Sequence, residues 1–228
     1  AGTGSEATKN AVISVPEHAR KVSLRDDRMV PTLAIVDPAL TDGTPKAQTL
    51  ASGLDAVTQV IEPYLSARAN PFTDALARPA VEDGLRALVT LIERGEDPGA
   101  RDRLAYVAHV SGIALANAGL GVVHGLAGPL GGETGAPHGS ICARLLPSVL
   151  SLLDDMLPAT GEARARLDSL SELIGGSLPD GIGSIETWLD RHGLPAPGLS
   201  EVVRDRVAEA ALASSSMKAS VVSYGQSD

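Results

Sequence analysis

Hydrophobic and polar positions change their period once along the chain. Up to residue 44 the apolar residues come in short extended runs, "AVISV", "KVSL" and "TLAIVDP", separated by Pro16, charged turns and Pro31. The "TLAIV" run is continuously apolar and ends at Asp37-Pro38, the pattern of a strand buried on both faces. From Pro45 onward, Leu50, Leu54, Val57, Ile61, Tyr64 and Leu65 recur at helical spacing, with Pro45 suited to a first turn. Further helices are predicted over "TDALARPAVEDGLRALVTLIERG", "ARDRLAYVAHVSGIALANAG", "SICARLLPSVLSLLDDM", "ARARLDSLSELIG", "SIETWLDRHG" and "SEVVRDRVAEAALASSS". The second of these is small-residue-rich on several faces, which favours burial against close neighbours. Gly175, Gly193 and the Pro195/Pro197 pair punctuate the set, and no internal repeat or low-complexity linker interrupts it.

The expected fold is therefore mainly α: a strand-rich leader over 1–44, then an all-helical domain over 45–228. Two or three strands make no stable sheet alone and expose unpaired edges. Either they pack on the bundle as a small sheet, or they are the last strands of an incomplete α/β nucleotide-binding domain. The opening AGTGSEATKN spells Gly2-x-Gly4-x-x-Ala7, as a dinucleotide loop does. Such a loop needs a strand before it and a helix after it, whereas "ATKNAVISV" reads as a strand, so the match is weak.

Composition narrows the partners. The chain has 228 residues, enough for a sizeable core, and a formal net charge of −9 with only 2% aromatic residues. A nucleic-acid backbone would be repelled, and few rings are available to stack bases. No apolar run approaches the roughly 20 residues needed to span a bilayer, and the first residues do not form a secretory leader. The single cysteine, Cys142, allows no disulfide within the chain and suits a reducing compartment, so a cytoplasmic protein is expected.

Two stretches carry candidate chemistry. "GLGVVHGLAGPLGGETGAPHGS" holds His124 and His138, separated by Gly/Pro-rich sequence that reads as a loop. His138 precedes the apolar "SICARLL" run, which places it at a helix N-terminus, where the dipole disfavours imidazolium. Neutral imidazole is the form that binds metal. In "SGLDAVTQVIEPY", Asp55, Gln59 and Glu62 fall at i, i+4 and i+7, on one polar stripe of an apolar helix. Asp55, His124 and His138 together would hold a metal with one position open, the pattern of a catalytic site. A solvated helix face and two unrelated histidines would show the same spacing, so spacing leaves the choice open.

The stretches "AGTGSEAT", "TLAIVDPALT", "SGLDAVTQVIEPYLS" and "VVHGLAGPLGG…APHGSICARLLP" together resemble the iron-containing (group III) alcohol dehydrogenase family. That family includes maleylacetate reductases and is similar to glycerol dehydrogenases. The resemblance is strong from Ala1 to about Pro147 and weaker beyond, where "ASSSMKA" also fits. It implies an N-terminal dinucleotide-binding domain, an all-helical domain, and metal and substrate in the cleft between them. The family's Gly-Gly-Gly-Ser pyrophosphate loop has no counterpart here, so the chain is expected to be the end of the first domain plus the whole second one.

Carried over by position, the family's metal aspartate falls on Asp55 and its loop histidines on His124 and His138. A further histidine ligand is replaced by Gln59, a weak neutral donor, and a histidine near the nicotinamide by Gly128. Thr8 and Lys21 match cofactor-contacting positions. The resemblance implies Fe²⁺ or Zn²⁺, NAD(P), and a small alcohol, aldehyde or keto acid. The metal would polarise the substrate oxygen during hydride transfer; without metal, His124 or His138 would hydrogen-bond the carbonyl. The rival expectation is a stand-alone helical descendant without redox activity, serving as a binding module or a non-redox lyase or isomerase. A homodimer or a separate complementing α/β chain is the expected partner. Among other residues, Cys142 reads as a small buried thiol, His109 as a core or edge histidine, and His18 and His192 as surface residues. Glu133 reads as a solvated loop carboxylate and Trp188 as a helix anchor.

Overall fold

The computed structural model describes every residue except 1, 16, 18–19, 179–181, 198–199 and 226–228. Two strands are present among the described residues, β1 (Asn10–Val15) and β2 (Arg20–Arg25). They form an antiparallel hairpin with Asn10 opposite Arg25 and Val15 opposite Arg20, and β2 lies against a helix of the bundle (α4, below).

The "TLAIV" run does not form the buried strand its pattern predicts. Residues 33–37 are irregular, and Leu33 and Ile35 are 76% and 82% exposed. A continuous apolar run becomes a buried strand only when strands flank it, and none does here. The run ends where the Asp37 side chain accepts from the Ala39 N–H and starts a short turn over Pro38–Thr41.

The opening glycines also have a structural cause. Gly4 has φ +69°, and a Cβ there would lie 2.0 Å from the Ala108 carbonyl oxygen. Opposite it, a Cβ on Gly112 would lie 2.0 Å from the Gly4 oxygen. Two backbones touch, and no side chain fits between them. Gly4 then leads into a single turn, Ser5–Ala7, rather than the helix a phosphate loop requires.

Eight helices follow among the described residues. α1 (Lys46–Leu65) is central, buried on nearly every face from Thr49 onward and packed on α2, α3, α5 and α6. Pro45 sits at its N-cap, one residue ahead of the expected first turn. α2 (Pro71–Glu93) starts with an Asn70–Thr73 capping box, and α3 (Pro98–Ala118) with Asp97 accepting from the Ala100 N–H. Both place proline in the first turn, where its missing N–H costs nothing.

α4 (Val122–Thr134) overturns an expectation, because the Gly/Pro-rich sequence between the two histidines is mostly helix. Helix propensity there is poor, but Val122, Val123, His124, Ala127 and Leu130 are buried, and tertiary packing outweighs propensity. Only Gly135, Ala136 and Pro137 separate α4 from α5 (His138–Met156), with Gly135 left-handed at the C-cap. α6 (Glu162–Ser177), α7 (Ile182–Arg191) and α8 (Glu201–Leu212) complete the set. The main core runs through α1, α2, α4 and α5 to Leu167, Leu170 and Ile174 of α6 and to Ile185 and Leu189 of α7. Among the described residues no single helix is long and apolar enough to cross a membrane; α3 and α4 reach that length only as a pair bent by 105°.

Candidate metal centre

Three helices converge on one buried group of donors. Asp55 lies on the central helix α1, His124 in the first turn of α4, and His138 and Cys142 one turn apart on α5. The ligand atoms of these four residues all lie within 4.8 Å of one another. His124 Nε2 is 3.2 Å from Asp55 Oδ1, His138 Nε2 is 3.9 Å from the same oxygen, and Cys142 Sγ is 3.6 Å from His138 Nε2. Asp55, His124 and Cys142 are buried, while the His138 side chain is 39% exposed and faces the open side of the group.

Local sequence explains the convergence. Gly139 brings α5 against α1, for a Cβ there would lie 2.4 Å from the Ala51 carbonyl oxygen and 3.4 Å from Asp55 Cβ. That contact sets His138 beside Asp55. At α4 the N-cap is Gly121, which has no side chain to satisfy the first amides. Glu62, two turns along α1 from Asp55, does so instead, its Oε1 accepting from the Val123 N–H at 2.7 Å. Its other oxygen, Oε2, is 2.6 Å from His124 Nδ1. His124 is thus held at both nitrogens, by Glu62 on one side and Asp55 on the other.

The electrostatics follow from this packing. Burial alone would raise the Asp55 carboxyl and lower the His124 imidazolium. For Asp55, the His124 hydrogen bond and the charges of His124 and His138 prevail and hold it below the usual range. For His124, the Cys142 sulfur and the Glu62 and Asp55 carboxylates prevail and hold it well above. Burial pushes the Cys142 thiol up to about 12. Two carboxylates around a doubly held imidazole form a negatively charged pocket with nitrogen, oxygen and sulfur donors. That donor set suits a divalent cation such as Zn²⁺ or Fe²⁺, and Glu62 stands where an outer carboxylate would fix the tautomer of His124 if it ligated one.

The remaining predicted site residues are placed as follows. Gln59 is buried one turn after Asp55, with its Oε1 3.5 Å from the Ser111 hydroxyl, which donates to the Ala108 carbonyl at 2.7 Å. A Cβ on Gly128 would meet nothing within 4 Å. Thr8 lines a separate cavity of about 280 Å³ with Lys9, Asn10, Arg25 and Arg68, and its hydroxyl donates to the Ser5 carbonyl at 3.0 Å. Lys21 lies on β2, but its side chain, like the whole of His18, is outside the described residues.

Cys142 and Trp188 are buried as expected, the indole donating to Glu93 at 2.9 Å. His109 sits at an edge, paired with Glu6 at 3.0 Å. Two expectations are corrected. The His192 side chain is only 11% exposed, packed edge-on against Trp188 with ring centroids 5.2 Å apart, because it follows α7 directly and folds back onto it. Glu133 is not a solvated loop carboxylate; it lies in the last turn of α4 and pairs with Arg206 of α8 at 2.7 Å. The sequence reading also left out the roles of Glu62 and Cys142. Their signals were the i+7 spacing from Asp55 and the i+4 spacing from His138.

The model of the Fe-containing alcohol dehydrogenase family, C-terminal, matches residues 49–219, and that of iron-containing alcohol dehydrogenase matches residues 1–38. The chain belongs to the iron-containing alcohol dehydrogenase family. Alcohol dehydrogenase 4 of Saccharomyces cerevisiae is 38% identical over 180 residues, covering 79% of this chain and 46% of the relative. The NAD-dependent methanol dehydrogenase of Bacillus methanolicus is 36% identical over 201 residues, covering 86% of this chain and 52% of the relative. The solved alcohol dehydrogenase of Oenococcus oeni superposes with a TM-score of 0.86 at 30% identity, covering 99% of this chain and 61% of that one. The chain thus spans about half the length of the curated iron-type dehydrogenases it matches.

Proposed function

We propose that this chain supplies the metal-binding and substrate-facing half of an NAD(P)-linked oxidoreductase for a small alcohol, aldehyde or keto acid. The observation that carries this reading is the four-donor group with Glu62 behind His124. Asp55, His124 and His138 would hold Fe²⁺ or Zn²⁺, with Gln59 beside them as a weaker donor. A bound divalent ion supplies Lewis acidity toward the alcohol or carbonyl oxygen. The protein's own part is to position and to exclude water. Glu62 keeps the His124 proton on Nδ1 and leaves Nε2 aimed at the donor group. Burial of Asp55 and Cys142 keeps the inner side dry, and the half-exposed His138 marks the side from which substrate enters.

The nicotinamide cofactor would be held mainly by the part of the relatives' length that this chain does not span, with Thr8 and Lys21 contributing. The NAD-dependent relative favours NAD as the partner. Because position 128 carries no imidazole, the substrate proton would leave through water or a cofactor hydroxyl. The single buried cysteine is consistent with a reducing, cytoplasmic setting.

Gly128 and Gln59 favour a second reading, a helical descendant that keeps the cleft without redox turnover. One experiment separates them. The metal-reconstituted protein is assayed for NADH and NADPH oxidation with short aldehydes and keto acids, and for binding of each nucleotide. Turnover that EDTA abolishes and Zn²⁺ or Fe²⁺ restores supports the oxidoreductase. A fully metallated protein that neither binds nor turns over nicotinamide overturns it and leaves the descendant.

A further inference from the structure

We infer that Cys142 Sγ is itself a metal ligand, so that this chain's site is an Asp/His/His/Cys set built from Asp55, His124, His138 and Cys142. The inference rests on the metal half of the proposed function and not on its redox half; with four protein ligands a substrate oxygen would reach the metal only as a fifth ligand.

Geometry is the first support. Ligands held at about 2.0–2.3 Å by a tetrahedral zinc ion lie roughly 3.3–3.8 Å from one another. The recorded pairs are Asp55–His124 at 3.2 Å, Cys142–His138 at 3.6 Å and Asp55–His138 at 3.9 Å. Cys142 Sγ thus stands 3.6 Å from one member of the shell, and every remaining pair among the four donors lies within 4.8 Å. It is placed there by the helix itself, since residues 138 and 142 are one turn apart and present the same face of α5 to Asp55.

Charge is the second support. A divalent cation in a buried site needs anionic ligands, and two neutral imidazoles supply none. Asp55 supplies one negative charge, and a Cys142 thiolate supplies the second. Glu62 already serves His124 Nδ1 and the Val123 N–H. As the metal binds, the Cys142 S–H bond and the His124 Nε2–H bond break, and both protons leave to solvent through the open His138 side.

The third support is what position 59 lacks. Gln59 is neutral, a poor ligand for a divalent ion. Cys142 reaches the same group from α5, so a fourth donor is present without position 59. A thiolate also shifts preference toward Zn²⁺ over harder ions such as Mg²⁺ and Mn²⁺.

The test is Co²⁺ substitution of the intact protein and of Cys142→Ser. Wild type should show tetrahedral d–d bands together with a near-ultraviolet sulfur-to-cobalt charge-transfer band. Cys142→Ser should keep d–d bands, lose the charge-transfer band and bind Zn²⁺ more than about tenfold more weakly. X-ray absorption of the Zn²⁺-loaded wild type needs no variant and should show a sulfur shell at about 2.3 Å. Cobalt d–d bands in wild type without sulfur signatures in either measurement would overturn the thiolate ligand and leave the metal reading intact. Failure of wild type to bind Co²⁺ or Zn²⁺ at all would overturn both.

Discussion

At the scale of single residues, the Glu62 carboxylate performs two tasks beside the candidate metal centre. It caps α4 through the Val123 N–H and fixes His124 through Nδ1. Glu62→Gln preserves the shape but offers one acceptor oxygen where two are needed. Either the Val123 amide or the imidazole then faces an NH₂ group. Outer carboxylates of this kind typically cost 10–100-fold in metal affinity when removed, and that is the expected loss. A competition titration with a chromophoric chelator measures it, and an unchanged Zn²⁺ affinity would show that Glu62 only caps the helix. Its role was half legible in the sequence. The Asp55, Gln59, Glu62 spacing put all three on one face of α1, but a solvated stripe has the same period. Only the fold shows that this face is buried against α4 and α5.

At the scale of elements, α1, α2 and α3 could be read directly from sequence, although α2 and α3 each begin two residues ahead of the stretches predicted from Thr73 and Ala100. α4 could not. Gly125, Gly128, Pro129, Gly131 and Gly132 give it the local signature of a loop, and it is helical because its apolar face is buried and Glu62 caps it. Two glycine substitutions separate these influences. Gly128→Ala adds a methyl where nothing lies within 4 Å, so it should stabilise the protein by about 0.5–1 kcal/mol through helix propensity alone. Gly139→Ala forces a methyl to 2.4 Å from the Ala51 carbonyl and must push α5 off α1. A loss of about 1–3 kcal/mol is expected, together with weaker metal binding as His138 and Cys142 move from Asp55. Urea denaturation of the two variants decides the matter. Destabilisation by Gly128→Ala would mean that α4 packs more tightly around position 128 than the structure shows.

At the scale of the whole molecule, apolar burial is unevenly distributed. Val12, Ile13, Leu24, Met29, Val30, Leu33, Ile35 and Leu40 are exposed, all within the first 44 residues, whereas the helical part buries its apolar side chains with few exceptions. The continuous "TLAIV" run predicts burial as well as a strand, and among the described residues only a two-stranded hairpin is present to receive it. The stability of this chain should therefore reside in the helices. Replacing Leu33 and Ile35 together by Ser removes two large apolar side chains that are already mostly in water, so the unfolding free energy should change by less than about 0.5 kcal/mol. Leu54→Ala, a fully buried position on α1, should cost about 2–5 kcal/mol in the same denaturation series. The double variant should also reduce self-association and dye binding to exposed apolar surface, since it breaks up the patch. A loss above about 1 kcal/mol in the double variant would mean that residues 33–35 are packed against the bundle in solution, and would overturn the division into a weakly held leader and a self-sufficient helical core.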